Sequence, residues 1–289
     1  MNDHKSLTSN VTVGLSGWGD HKELYEPGTK SSERLRAYSR HFPLVEMDSS
    51  FYAIPAPARM QKWSEQTPEE FGFIVKAFQG MTGHTRGEHD FEDARSMFDV
   101  FKQSADVLKG EGKLRAVLFQ YPPWFDCTKE NVAVLRRTRE WMQAFPIALE
   151  FRHQSWFTGD MREKTLAFMR SEGWIHSICD EPQAGIGSIP TVLSPTSSST
   201  LIRMHGRNIS GWNASGAPNW REVRYLYRYQ EKELLEWKSN LEHLLQTTDQ
   251  CWVVFNNNSG GDAVPNAKQF MRMCGIDIPP GGGEQLTLF

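Results

Sequence analysis

The sequence predicts a single (β/α)8 barrel. Three observations carry this. Eight short apolar runs recur along the 289 residues. Longer segments with helical patterning separate them. No G-x-G-x-x-G follows the first run, which counts against an open dinucleotide-binding sheet. A strand–helix rhythm of this kind means parallel strands joined by crossover helices, and eight strands in one chain of this length point to closure.

In chain order, the strand candidates are Val11–Gly17, Leu44–Phe51, Phe71–Phe78, Leu114–Tyr121, Ile147–His153, Trp174–Asp180, Thr200–Gly206 and Cys251–Asn257. The helix candidates are Ser31–His41, Pro57–Glu65, Phe91–Lys109, Lys129–Ala144, Met161–Glu172, Tyr225–Gln246 and Pro265–Cys274. Glu181–Ser199 is rich in proline and serine and is expected to be a loop. The predicted organisation is a flexible start over residues 1–10, a barrel over 11–276, and a linker with a tail over 277–289.

Composition narrows the function. A net charge of −3 excludes binding nucleic acid through the whole surface, so any such contact must be a local patch. The first residues lack an apolar core, so no signal peptide is expected. No run approaches the ~18 apolar residues of a membrane span. The four cysteines are far apart and form no C-x-x-C, which predicts a reducing cytoplasm rather than a disulfide framework or structural zinc site.

Alternation within the strands sorts the side chains. Val13, Leu15, Val45, Met47, Phe73, Val75, Val117, Phe119, Leu149, Phe151, Ile202, Met204, Val253 and Phe255 suit the helix-facing side. The opposite parity collects Ser16, Glu46, Asp48, Lys76, Gln120, Glu150, Arg152, Asp180, Arg203, His205 and Asn256. These stand at C-terminal strand ends, where active sites of this fold sit. Burying so many charges is costly unless they are paired or used.

An anion site results, with Lys76, Arg152, Arg203, Asn256 and Gln120 holding a phosphate or carboxylate. Glu150, Glu46, Asp180 and His205 are the candidates for proton transfer, Glu150 first. Two alternatives stand beside it. The charges form a self-satisfied structural network, or a divalent metal is held by a set drawn from His205, Glu46, Glu150, Asp180 and His153. No H-x-H or H-E-x-x-H supports the metal, and no metal ligand is assigned.

Several blocks resemble one family. They are Gly17-Trp18, Val45-Glu46 with Ser50-Phe51-Tyr52, Phe73-Ile74-Val75-Lys76, and Gln120-Tyr121-Pro122-Pro123. Further along come Glu150-Phe151-Arg152-His153 with Trp156, Arg203-Met204-His205-Gly206-Arg207-Asn208, and Phe255-Asn256-Asn257-Asn258 with Asn266-Ala267. Together they resemble domain-of-unknown-function family 72, the YecE-like proteins. The resemblance implies a barrel related in shape to sugar isomerases and apurinic-site endonucleases. It implies no particular reaction, and the three-metal ligand set of those endonucleases is not evident in this sequence.

Aromatic residues follow many strand ends: Trp18, Phe51, Tyr52, Trp124, Trp156, Trp212 and Trp220. Singly each is packing; around one mouth they would wall a sugar-like ligand or stack on a base. Loops over Gly80–His89 and Arg207–Arg221 are candidate covers for the site. Arg221, Arg224 and Arg228 recur at helical spacing, either as a phosphate track or as a solvated face.

After Pro279-Pro280-Gly281-Gly282-Gly283, which cannot continue regular structure, comes Gln285-Leu286-Thr287-Leu288-Phe289. This resembles the pentapeptide by which replication and repair proteins dock onto the bacterial DNA sliding clamp. The resemblance implies that Gln285 hydrogen-bonds one pocket while Leu286, Leu288 and Phe289 take part in apolar contact with the clamp. The combined expectation is a hydrolase of phosphoester or glycosidic bonds, with DNA as a candidate substrate, recruited to the clamp and serving DNA repair. A non-catalytic nucleic-acid or ligand-binding barrel is the first alternative. A metal-dependent sugar or phosphate hydrolase or isomerase unrelated to DNA is the second.

Overall fold

Every strand lies where an apolar run predicts one. The computed structural model describes residues 5–85, 91–213 and 223–279. The strands are β1 (Val11–Ser16), β2 (Leu44–Met47), β3 (Gly72–Lys76), β4 (Leu114–Gln120), β5 (Ile147–Glu150), β6 (Ile175–Asp180), β7 (Ser199–Met204) and β8 (Gln250–Phe255). They pair in sequence order, all parallel, and β8 closes on β1.

Except at β6, which ends at Asp180 as predicted, the predicted runs overshoot the strands at their C-terminal ends. Those extra residues turn away from the ladder and build the mouth. Ser49–Phe51, for example, is a short 3-10 turn rather than strand. Pro57–Glu65 and Met161–Glu172 are helices with the predicted bounds and Ala263–Cys274 starts two residues early, while others are shorter than their patterns. The candidate over 225–246 begins only at Glu231, because Gln230 ends the extended backbone and exchanges capping hydrogen bonds with Glu233. The loop expected over 181–199 lacks helix or strand until β7 begins at Ser199. The segment through residue 10, expected to be flexible, instead holds a helical turn at Leu7–Asn10. Lys5 anchors it with an ion pair of 2.7 Å to Asp249. Among the described residues no helix is long and apolar enough to cross a membrane.

Two cores follow from the strand pleat. The helix-facing residues predicted above all join one large buried cluster beneath the helices. The interior of the barrel is a separate, smaller cluster: Leu44, Ile74, Ala116, Leu118, Ala148, Ile175, Leu201, Trp252 and Val254. This apolar plug fills the lower barrel, so polar inward residues can gather only at the C-terminal end. Gly14 is needed where β1 crosses β2. A Cβ there would stand 2.1 Å from the Leu44 carbonyl oxygen.

Candidate functional site

Register brings the inward residues together. Ser16 lies beside Glu46, Gln120 beside Glu150, and Cys179 beside Arg203. Glu46 and Glu150 have no exposed surface, and Arg203 keeps only 2%. Such burial is tolerable only with full pairing. Arg203 donates to both oxygens of Glu46 (Nε to Oε2 2.7 Å, Nη2 to Oε1 2.6 Å). Its Nη1 donates to Glu150 at 2.8 and 3.0 Å and to Gln120 Oε1 at 3.3 Å.

Arg152 lies just past β5 and keeps the inward direction. It donates to Glu150 at 2.7 Å and to Glu181 at 2.5 Å, and it stands over the Trp212 ring at 5.3 Å. The result is a buried chain of alternating charge: Glu46, Arg203, Glu150, Arg152, Glu181. Lys76 stands nearer solvent, 2.8 Å from Asp48 and 4.7 Å from the centre of the Phe51 ring.

His205 sits fully buried at the centre. Nε2 is 3.0 Å from Arg152 Nη2 and 3.4 Å from Arg203 Nη1, and the Asn256 amide is 2.9 Å from Nδ1. A guanidinium can only donate, so Nε2 accepts; the neutral ring then carries its proton on Nδ1, and Asn256 accepts it with its amide oxygen turned toward the ring in place of the nitrogen. Burial and the two guanidiniums hold the imidazole neutral, well below its ordinary range.

Two carboxylates of this buried chain, Glu150 and Glu181, titrate differently. Burial raises the Glu150 carboxyl, but Arg152 and Arg203 outweigh burial and hold it well below the usual range. Burial dominates at Glu181 and pushes it up to about 7, against the pull of Arg152 and of the Ile189 N–H. Separated titration of neighbouring carboxyls is how a site assigns acid and base roles.

Asp180 corrects the expectation. It pairs in register with Met204, a helix-facing residue, so it points out of the barrel. There it accepts from Arg207 Nε at 2.9 and 3.1 Å and from Trp237 Nε1 at 3.0 Å. Asp180 ties β6 to the outer helix Glu231–Leu244 and leaves the pocket to its neighbour Glu181. The strand Ile175–Asp180 is buried on both faces, which hides its parity in the sequence. Counting from Ser177, which donates to Glu150 Oε2 at 3.1 Å, identifies Cys179 and Glu181 as the inward pair.

Other expectations find their places. His153 accepts from Ser155 N–H and caps the short turn Gln154–Trp156, away from the cluster. Asn257 donates to Tyr227 O and to Asn266, closing a loop rather than facing the mouth. Arg224 stacks over Trp212 at 4.1 Å, while Arg228 approaches Asp262 at 3.9 Å. Trp220, Arg221, most of the Arg207–Arg221 cover and the whole pentapeptide Gln285–Phe289 lie outside the described residues.

The family model described as "Protein of unknown function DUF72" matches residues 12–282. The chain belongs to the DUF72 family. It is 54% identical to the UPF0759 protein YunF of Bacillus subtilis over 281 residues, covering 96% of this chain and 100% of that one. The YecE protein of Escherichia coli K12 is 36% identical over 156 residues, about half of each chain (54% and 53%). A DUF72 crystal structure from Enterococcus faecalis superposes with a TM-score of 0.88 at 33% identity, covering 96% of this chain and 99% of that chain. One from Thermotoga maritima gives 0.77 at 30%, covering 91% and 98%.

Among the described residues of this DUF72 barrel, one trio has metal-ligand chemistry. Donor atoms of Glu150, Cys179 and His205 lie within 4.8 Å of one another. The residues do not fit a cation while both arginines stay. Glu150 Oε1 and His205 Nε2 already face guanidinium groups. Burial, with Glu150 and Glu181 beside it, holds the Cys179 thiol protonated, which makes it a poor ligand.

Proposed function

We propose that this DUF72 barrel is a cytoplasmic enzyme that binds the phosphate of its substrate at the mouth and hydrolyses an ester or glycosidic bond beside it. The observation that carries this reading is the layering of charge. The side chains of Glu46, Glu150 and Glu181 have no exposed surface, Arg152 keeps 3% and Lys76 12%, and the carboxylate of Asp48, paired with Lys76, is open to solvent at 38%. His84, at the same mouth, reports the potential. Burial, then Lys76 and Arg152, push its imidazole down to about 4. Burial, the largest cause, carries no sign; the smaller part due to Lys76 and Arg152 has the sign that favours an anion.

The roles follow from the geometry. Lys76 and Arg152 meet the anion, with Arg203, Gln120 and Asn256 behind them. Glu150 stays ionised at neutral pH, and Glu46 and Glu150 together hold the guanidiniums in place. Glu181 is the proton-exchanging group, and neutral His205 is an acceptor buttressed by Asn256.

Inorganic phosphate and ribose 5-phosphate should each raise the melting temperature of the purified protein. At a ligand concentration a hundredfold above Kd, the gain is about 2.7 kcal/mol. Lys76→Ala should weaken binding roughly tenfold or more, as loss of a charge-assisted hydrogen bond does. A melting temperature that no phosphate compound moves, with or without magnesium, would overturn the reading. Turnover would then be sought on nicked, abasic and single-stranded DNA.

DNA as the phosphate carrier is supported by the tail motif, through which we propose docking on the sliding clamp. A synthetic peptide ending Gln285-Leu286-Thr287-Leu288-Phe289 should bind clamp with micromolar Kd, about −8 kcal/mol. Replacing Leu288 and Phe289 together by alanine should abolish binding of the full-length protein and leave its melting temperature unchanged. Equal binding by wild type and double variant, or binding by neither, removes the tether.

A further inference from the structure

Three adjacent strand ends place four rings in a row along one side of the mouth. Tyr52 and Phe51 follow β2, their centroids 5.2 Å apart. His84 follows β3 and meets Phe51 at 5.0 Å; Trp124 follows β4 and meets His84 at 5.9 Å. All three contacts are edge-on. The row includes two large exposed side chains, Tyr52 at 58% and Trp124 at 50%. Large aromatic surface left in water beside a charged pocket marks a contact surface for a ligand with a flat apolar face. Lys76 Nζ lies 4.7 Å from the Phe51 ring centre, so the row runs directly past the proposed phosphate contact. With its imidazole near 4, His84 is uncharged at neutral pH and belongs to the row as a ring rather than as a cation.

We infer that the phosphate recognised at this mouth is carried by a nucleotide unit, whose base stacks on one of the two exposed rings, Tyr52 or Trp124, while Lys76 holds the phosphate. The inference rests on the phosphate-binding reading above and adds the substrate class to it. Every base has a π face, so stacking of this kind tolerates all four bases. It also divides the labour. The buried Arg–Glu chain fixes the anion, and the rim supplies the affinity that separates a nucleotide from a bare sugar phosphate.

The test compares four probes by calorimetric titration of the full-length protein: a purine and a pyrimidine nucleoside 5′-monophosphate, ribose 5-phosphate and inorganic phosphate. Both nucleotides should bind more tightly than ribose 5-phosphate, by roughly 5- to 150-fold, the range of one base–aromatic stack. Trp124→Ala or Tyr52→Ala should erase most of that advantage without altering ribose 5-phosphate binding. Trp124→Phe should retain much of it. Both side chains are half exposed, and melting curves will establish that the variants fold. Equal affinity for nucleotides and ribose 5-phosphate, or an advantage that survives both alanine variants, overturns the inference and leaves the phosphate reading standing. No binding of any of the four overturns both. A short single-stranded oligonucleotide then names the source. Tighter, strongly salt-dependent binding than the mononucleotide supports a strand, and equal or weaker binding supports a free nucleotide.

Discussion

Arg203→Met is expected to destabilise the barrel by about 3–5 kcal/mol, the cost of breaking a buried ion pair from one side. Arg203 has only 2% exposure and donates to Glu46, Glu150 and Gln120 at once. Methionine fills similar space but leaves Glu46 with Ser16 alone, at 3.2 Å, and deprives Glu150 of one of its two cations. Neither carboxylate has any exposed surface, so water cannot replace the guanidinium. In a domain of this size, ~2–4 °C per kcal/mol gives a fall in Tm of about 10 °C. The double variant Arg203→Met with Glu46→Gln should recover part of the loss, because the amide removes one stranded charge. Thermal and urea unfolding of the four proteins in the cycle measure the coupling. A loss below about 1 kcal/mol for Arg203→Met would show that the network is not stabilised by this pairing.

Glu181→Gln should stabilise the protein at alkaline pH and do little at acid pH. The Glu181 carboxyl is pushed up to about 7 from an ordinary value of 4.5. A carboxyl raised in the folded state contributes stability that is present in full below its unfolded value. That stability is lost as pH rises through the folded one. At 1.36 kcal/mol per pH unit, the loss between about pH 4.5 and 7 is on the order of 3 kcal/mol. Glutamine mimics the protonated acid, so the variant should match wild type near pH 4 and exceed it by a similar amount near pH 8. The depressed groups, His205, His176, His84 and Glu150, act in the opposite sense as pH falls. They occur in both proteins, so the difference between the two stability curves isolates Glu181. If Arg152 instead kept Glu181 ionised, wild type would be the more stable protein at pH 8, and the proton-exchange role would go with it.

The sequence by itself determined the barrel. Apolar runs at strand length, separated by helix-length amphipathic segments, permit one closed arrangement, and the helix-facing residues predicted from alternation all lie in the outer core. It also determined most of the site. Glu46, Glu150 and Arg203 stand at ends of strands whose two faces differ in polarity, so period-two counting finds them, and Arg152 continues that count past β5. Only the tertiary structure decided β6. Ile175–Asp180 is buried on both faces, so polarity carries no parity there, and the register with β7 alone turns Asp180 outward and Glu181 inward. Charge state was likewise beyond the sequence. Glu150 and Glu181 are the same side chain, and they differ because one is flanked by two guanidiniums while the other has one and is otherwise buried. Arg152 is two residues from Glu150, but Arg203 comes from β7 and Glu181 follows β6, and only the folded barrel brings these within hydrogen-bonding distance.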